Sequence, residues 1–319
     1  MKGSSDSSEL STPIRPFLPS TILSFDVEEH HRIEAASHLS IPADSRQMYA
    51  SRMETSTRQL LDLLARAEVK ATFFVVGEIA ESHPRLVRDI ADAGHEIGSH
   101  SWVHRRIHHF DSVSFRDDLL KSKEALEQAS GTPVVGFRAP TFSVVRQTGW
   151  VIDVLAECGF EYDSSIFPVR HDRYGIPTAP RSPFIAEGNE RSILELPLAT
   201  LRMVGQNFPV AGGGYFRLFP LAVMKAGMRQ LARATIPPVS MLYFHPWEFD
   251  PDQPRLPLGR VSRFRTYVGM TKSWSRLKRL LARGPFRRAI DVVHEIREGN
   301  LNLPRFHVPE TLTPISVAA

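Results

Sequence analysis

The sequence predicts an α/β protein, a β/α barrel in which parallel strands alternate with helices. Three observations lead there. Short runs rich in β-branched and aromatic residues recur along the chain. Helical apolar patterns separate several of them, the alternation that produces parallel strands with helical crossovers. Polar motifs sit just past the C-terminal ends of these runs, at Asp26, His100, Arg138, Asp163 and His245. That is the face on which β/α barrels gather their functional groups. An open doubly wound sheet is the alternative, but one site fed by so many strands favours a barrel.

The expected strands are Thr21–Phe25, Ala71–Val76, Gly94–Ile97, Val134–Phe137, Phe160–Tyr162, Ile193–Leu196 and Ser240–Phe244. A helix over Ser51–Ala67 carries Leu60, Leu61, Leu63 and Leu64 on its apolar face. Pro84–Ala93 reads as a helix stopped by Gly94. Ser112–Ala129 has its N-cap at Asp111 or Ser112 and ends before Gly131. Leu221–Ala234 precedes the last strand. Pro168, Pro177, Pro180 and Pro183 predict a long loop over 165–192. Beyond Pro257, two helices are expected near Lys272–Ala282 and Phe286–Glu298.

A chain of 319 residues can bury a sizeable core, so disulfides are not needed. Cys158 is the only cysteine; it excludes an intrachain disulfide and fits a reducing compartment. No apolar run approaches the roughly 18 to 20 residues that span a bilayer. The Ser-rich start lacks the apolar stretch of a signal peptide. The expected organisation is a mobile tail over 1–18, a catalytic domain over 19–255 and a basic extension over 256–319 packed on the barrel. The expected location is cytoplasmic, peripheral at the inner membrane. The net charge of +4 hides an asymmetry. Eleven Lys and Arg and no carboxylate lie between Arg255 and Ile290, while the rest of the chain is mildly acidic. A local basic stretch suggests an anionic partner, such as a lipid-linked pyrophosphate precursor or an anionic membrane surface. No nucleic-acid partner is expected.

His100-Ser101-Trp102-Val103-His104 follows an expected strand. On a helical turn, two His at i and i+4 share a face and can grip one divalent cation, with a carboxylate from elsewhere completing the set. Ser24-Phe25-Asp26-Val27-Glu28-Glu29 supplies carboxylates far upstream. Residues i and i+2 of a strand point the same way. Glu28 is thus expected beside Asp26 as the third ligand, and Glu29 to face away unless a bulge after Asp26 turns it inward. The other His read mainly as structural: His95 as buried and hydrogen-bonded, His30 and His31 as core or rim residues. Gly212-Gly213-Gly214 has no Lys-Ser/Thr after it and so is no phosphate loop.

These motifs, with Gly94–His104, Gly136-Phe137-Arg138-Ala139-Pro140, Tyr162-Asp163-Ser164-Ser165 and His245-Pro246-Trp247-Glu248, resemble the polysaccharide deacetylases of carbohydrate esterase family 4, the nodulation-protein-B type. Pro209–Arg217 and Ser262–Tyr267 are similar to the exosortase and exopolysaccharide-associated branch. The resemblance covers about residues 20–300. It implies a distorted β/α barrel that removes N-acetyl groups from amino sugars of an exopolysaccharide or its precursor. The commonest family pattern has two adjacent Asp; here Val27 stands where the second would ligate.

Amide hydrolysis needs an activated water, a polarised carbonyl and a proton for the departing amine. A divalent metal, zinc by default with cobalt, nickel or manganese as alternatives, is expected on Glu28, His100 and His104. Asp26 is the candidate base, Arg138 its orienting cation and His245 the candidate acid, with Asp163 expected to orient His245. By the resemblance, Thr141 donates its backbone N–H to the oxyanion. Trp247 is expected to wall the acetyl methyl, and Tyr215 to contact substrate. Two competing readings are a metal-free amidase of the allantoinase kind and a non-catalytic carbohydrate-binding protein.

Overall fold

A computed structural model describes residues 17–309. The expected 1–18 tail lies outside the described residues apart from its last two, as do residues 310–319 of the expected extension. The chain opens with β1 (Ser20–Val27), buried except at Thr21. Helix α1 (Ala43–Arg66) leads to β2 (Thr72–Val75), whose four residues are all buried. A parallel strand covered on both faces reads as such a continuous apolar run. Then come α2 (Gly77–Ser82), α3 (Pro84–Asp92) and β3 (Glu96–Ser99). Helix α4 (Ser112–Ser130) starts at a capping box between Asp111 and Ser114, and Gly131 ends it at φ 71°. After it lie β4 (Gly136–Phe137), α5 (Val151–Glu157) and β5 (Tyr162–Asp163).

The second half brings β6 (Phe184–Glu187), β7 (Ser192–Glu195) and a hairpin of β8 (Thr200–Met203) and β9 (Gln206–Pro209). Helices α6 (Gly213–Leu218) and α7 (Leu221–Ala234) precede β10 (Val239–Phe244). The chain continues through α8 (Arg260–Tyr267), α9 (Ser273–Leu281), α10 (Ala289–Glu298) and β11 (Arg305–His307).

One sheet of nine strands runs β10-β1-β2-β3-β4-β5-β7-β6-β11. It is parallel except for the antiparallel β6–β7 pair. After β7 the chain curls back to the first strand of that order. Leu198 bridges Met241 of β10, and the Ala199 N–H donates to the Met241 carbonyl at 3.0 Å. Gly212 bridges Tyr243, so close that a Cβ there would sit 1.7 Å from the Tyr243 carbonyl oxygen. The barrel thus closes through isolated bridges rather than a full ladder, which is the distorted β/α barrel expected. Phe25, Phe73 and Phe244 from three adjacent strands pack at its centre, with Phe25 and Phe73 stacked at 5.0 Å.

Two local expectations are corrected. Helix α1 begins at Ala43, not Ser51, because Met48 and Tyr49 pack with Leu256 and Leu258 in a small second core. The Pro-rich stretch 165–192 holds β6, stabilised by pairing with β7 on one side and β11 on the other. Residues 255–290 carry the local basicity and also reach the sheet. Within them Arg287 reaches β1, exchanging backbone hydrogen bonds with Thr21 and Leu23.

Candidate active site and metal cradle

β1 carries Asp26 at its C-terminal end, and Glu28 is the first residue beyond it. Both are buried at the C-terminal mouth of the barrel, in a cleft of about 180 Å³. His100 and His104 follow β3, Arg138 follows β4, and His245 follows β10, so parallel strands deliver all six side chains to one end.

The His pair does not sit on a helical turn. Ser101 and His104 both have left-handed backbone, at φ 67° and 59°, so His100–His104 is an irregular loop. The loop still brings the rings together, 4.9 Å apart. The Nδ1–H of His100 donates to the Arg138 carbonyl at 2.7 Å, and that of His104 to the Arg32 carbonyl at 3.0 Å. Each Nε2 is left with a free lone pair, the orientation that metal-binding imidazoles adopt. Glu28 supplies the third donor. Donor atoms of Glu28, His100 and His104 all lie within 4.8 Å of one another. Glu28 Oε2 is buried without a hydrogen-bond partner, although His104 Nε2 is 2.5 Å away. A buried carboxylate oxygen facing an imidazole lone pair is an unfavourable pairing unless a cation or proton lies between. The donor set therefore fits a divalent metal. Burial pushes His100 down to about 4, keeping it neutral. Burial alone would raise the Glu28 carboxyl, but His104, His245 and His100 hold it well below the usual range.

Glu29 turns away. Its carboxylate pairs with Arg32, which also reaches Glu78 at 2.8 Å. The other oxygen of Glu28 accepts from Trp247 Nε1–H at 3.1 Å. Trp247 stacks on His245 at 5.1 Å and on His30 at 4.9 Å. His30 is a structural member of this aromatic stack, and His95 accepts from the buried Ala71 N–H at 3.1 Å.

Arg138 is fully buried over the Phe74 ring. Its Nη1 donates to Asp26 Oδ1 at 2.7 Å and to Ser24 Oγ at 2.8 Å. Ser164 takes its other donors through the carbonyl at 3.0 Å and Oγ at 2.9 Å. Asp26 Oδ2 is left facing the cleft, 3.9 Å from His245 Nε2.

Asp163 does not touch His245; its place is behind Arg138. Asp163 Oδ1 accepts from the Ser164 N–H at 2.8 Å and from Ser165 Oγ at 2.5 Å, and so fixes the residues that hold Arg138. It faces Glu195, which accepts from the Ile166 N–H at 2.9 Å. Burial raises both carboxyls, Asp163 to about 6 and Glu195 well above its usual range. Two buried carboxyls in contact share a proton.

The partner of His245 is Glu248, three residues on. Its Oε1 accepts from His245 Nδ1–H at 2.7 Å, and its Oε2 accepts from Arg217 Nε at 2.6 Å. Arg217 is itself fixed by the carbonyls of Thr266 at 2.6 Å and Val268 at 3.0 Å. Burial alone would lower the His245 ring. The Glu248 hydrogen bond and the charges of Glu28, Glu248 and Asp26 overcome it and raise it to about 9.

Thr141 lines the cleft with left-handed backbone at φ 57°, a strained geometry of the kind that clusters at functional sites. Among the described residues its N–H has no acceptor. Tyr215 does not line the cleft. Helix α6 turns it onto Phe219, and it meets the hydroxyl of Tyr174, which does line the cleft with Phe142, Tyr243 and Trp247. Glu248, Arg217 and Glu195 had no assigned role in the sequence. The i, i+3 spacing of His245 and Glu248 just past a strand was the available signal for one of them.

The fold and site together define a barrel with a buried His-His-carboxylate cradle, faced by an Asp-Arg pair and a carboxylate-held His. Comparison with known proteins agrees. Residues 44–162 match the family model for polysaccharide deacetylase, and residues 164–294 match that for a domain of unknown function, DUF3473. The chain is thus similar to the polysaccharide deacetylases over 44–162 and to the second family over 164–294. The site draws on both: His100, His104 and Arg138 lie in the first, Arg217, His245 and Glu248 in the second, and Asp26 and Glu28 precede both. A peptidoglycan-N-acetylglucosamine deacetylase of Bacillus cereus is 34% identical over 98 residues, 30% of this chain and 36% of the relative. A chitooligosaccharide deacetylase of Rhizobium leguminosarum is 35% identical over 100 residues, 31% and 44% of the two chains. The matched region thus spans less than half the length of these relatives. A Mycobacterium smegmatis structure assigned provisionally to the polysaccharide deacetylases superposes with TM-score 0.59 at 22% identity, covering 95% of this chain and 98% of the other. Puue allantoinase superposes with TM-score 0.58 at 16% identity, covering 88% and 90%. These two likenesses define the fold.

Proposed function

We propose that the protein is a metal-dependent hydrolase that removes N-acetyl groups from amino-sugar residues of an oligo- or polysaccharide. One observation carries the reading: the free donor atoms of Glu28, His100 and His104 converge opposite Asp26 and His245 in one cleft. When bound there, a divalent cation such as zinc supplies Lewis-acid polarisation of the acetyl carbonyl and makes a nearby water more acidic. Asp26 Oδ2 takes the proton from that water, while Arg138 keeps the carboxylate oriented. The Thr141 N–H stabilises negative charge on the former carbonyl oxygen. His245 gives its Nε2 proton to the departing amine, and Glu248 holds the ring from Nδ1. Trp247, Phe142 and Tyr174 exclude water and wall the acetyl methyl.

The substrate we favour is an exopolysaccharide or its lipid-linked precursor, acted on at the cytoplasmic side of the inner membrane. The resemblance of Pro209–Arg217 and Ser262–Tyr267 to the exopolysaccharide-associated branch and the local basicity of residues 255–290 support this choice. Among the described residues no helix is long and apolar enough to cross a membrane.

The allantoinase-like fold makes a metal-free amidase the competing reading. A substrate panel separates the two. Acetate release from N-acetylated oligosaccharides, dependent on added metal, is the expected result. Ring opening of allantoin by metal-free protein, with no acetate released, would replace this reading by the other.

A further inference from the structure

A second groove lies between α7 and the α9 region, lined by six cations and no carboxylate. Lys225 and Arg229 stand at i, i+4 on α7; Lys272, Arg276, Arg279 and Arg283 follow helical spacing along the opposite wall. Residues so spaced share one face of a helix, so two rows of like charge oppose each other. The space between them is about 530 Å³.

Three of the seven cations elsewhere in the basic stretch are neutralised by carboxylates. Arg265, Arg287 and Arg288 pair with Asp172, Glu295 and Asp291. Among the described residues, no ion pair forms at Lys225, Arg229, Lys272, Arg279 or Arg283. Arg276 is fixed from behind, donating to the carbonyls of Arg217 and Phe219 and lying over the Phe216 ring, while its Nε–H is buried without an acceptor. Lost hydration and then the charges of Arg283, Arg279 and Arg229 lower the Lys225 ammonium. Uncompensated like charge destabilises a folded chain and is relieved by a bound anion.

We propose that this groove is a binding site for a compact multivalent phosphate, of the diphosphate class, separate from the catalytic cleft. Its concave shape lets charges on two walls reach one compact ligand, whereas a flat bilayer would meet only the rims. Arg forks and Lys ammonium groups suit phosphate oxygens. The apolar part of the lining is Pro220, Leu221 and Ala222, with no aromatic ring on which a nucleobase could stack. The site does not depend on the deacetylase reading.

Calorimetric titration of the full chain tests it, with inorganic pyrophosphate and inorganic phosphate compared at matched ionic strength. One pyrophosphate should bind per chain, at least about tenfold tighter than phosphate, and weaken as salt rises. The double variant Lys225→Glu, Arg279→Glu should lose this binding, and Arg229→Gln serves if the double variant does not fold. Arg263→Glu on α8, outside the groove, should keep it. Pyrophosphate that still binds the double variant would sit elsewhere, including at the metal cradle, and would overturn the groove. Equal weak binding of both anions would overturn it as well. Vesicles of neutral and anionic lipid separate the sources. Binding to anionic vesicles that pyrophosphate does not displace would assign the charge to a membrane surface instead.

Discussion

Glu248 Oε1 lies 2.7 Å from Nδ1 of His245, and the same carboxylate is gripped on its far side by Arg217 at 2.6 Å. Both Glu248 and Arg217 are buried, so the pair cannot relax into water. The ring is therefore fixed with Nε2 toward the cleft and kept protonated.

This arrangement predicts a pH effect of definite sign. His245 acts as an acid only below its own pKa, and Glu248 helps hold that near 9. Glu248→Gln removes the charge, lowers the pKa and moves the alkaline limb of kcat to lower pH. Turnover should fall by about tenfold or more near pH 8.5 and by much less near pH 6. An unchanged alkaline limb would remove Glu248 from this role.

Asp26 is predicted to act as a base, not a ligand. Asp26→Asn should retain stoichiometric metal and lose turnover by about two to four orders of magnitude. Wild-type turnover in this variant, measured as acetate release, would contradict the assignment.

The carboxylates at 28 and 29 should separate cleanly. Glu28→Ala should weaken metal binding sharply, because Oε2 has no other partner. Glu29→Ala should change it little, since that side chain serves Arg32. Trp247→Phe, which removes the donor on Glu28 Oε1, should weaken metal by about tenfold. Metal titrations against a competing chelator rank the three; equal losses for Glu28 and Glu29 would refute the ligand set.

Behind Arg138, the raised carboxyls of Asp163 and Glu195 bind a proton more tightly folded than unfolded. Their contribution to stability is complete below the ordinary carboxylate range and is lost as pH rises through about 6 and beyond. Glu195→Gln keeps a neutral group there at any pH. The Tm of this variant relative to wild type should therefore increase from about pH 5 to about pH 8. A pH-independent difference would show that no proton is shared.

Much of this site is legible in the chain because its chemistry is local. Asp26, His100, Arg138 and His245 each stand in a short polar motif just after an apolar strand, and the period of two along β1 singles out Glu28 over Glu29. The support of the site was harder to read. Arg217 meets Glu248 only because Gly212 closes against Tyr243, a contact across 31 residues that no local pattern announces. Glu195 meets Asp163 through strand pairing of β5 with β7. The helical turn expected for His100 and His104 fails because left-handed Ser101 and His104 redirect the loop, and neither is Gly or Asn, the residues that signal such a turn. Strand β6 was hidden among prolines, since its stability comes from its neighbours rather than from its own four residues.

Glu28, His100 and His104 are predicted to hold a metal on which acetate release depends. The most direct measurement is acetate release from an N-acetylated oligosaccharide by chelator-treated protein titrated back with zinc. Activity should be absent without metal and should rise to a plateau at one equivalent, and the His100→Ala, His104→Ala double variant should stay inactive at every zinc concentration. Full acetate release by the metal-free protein, or by the double variant, would show that the reaction needs no metal at Glu28, His100 and His104.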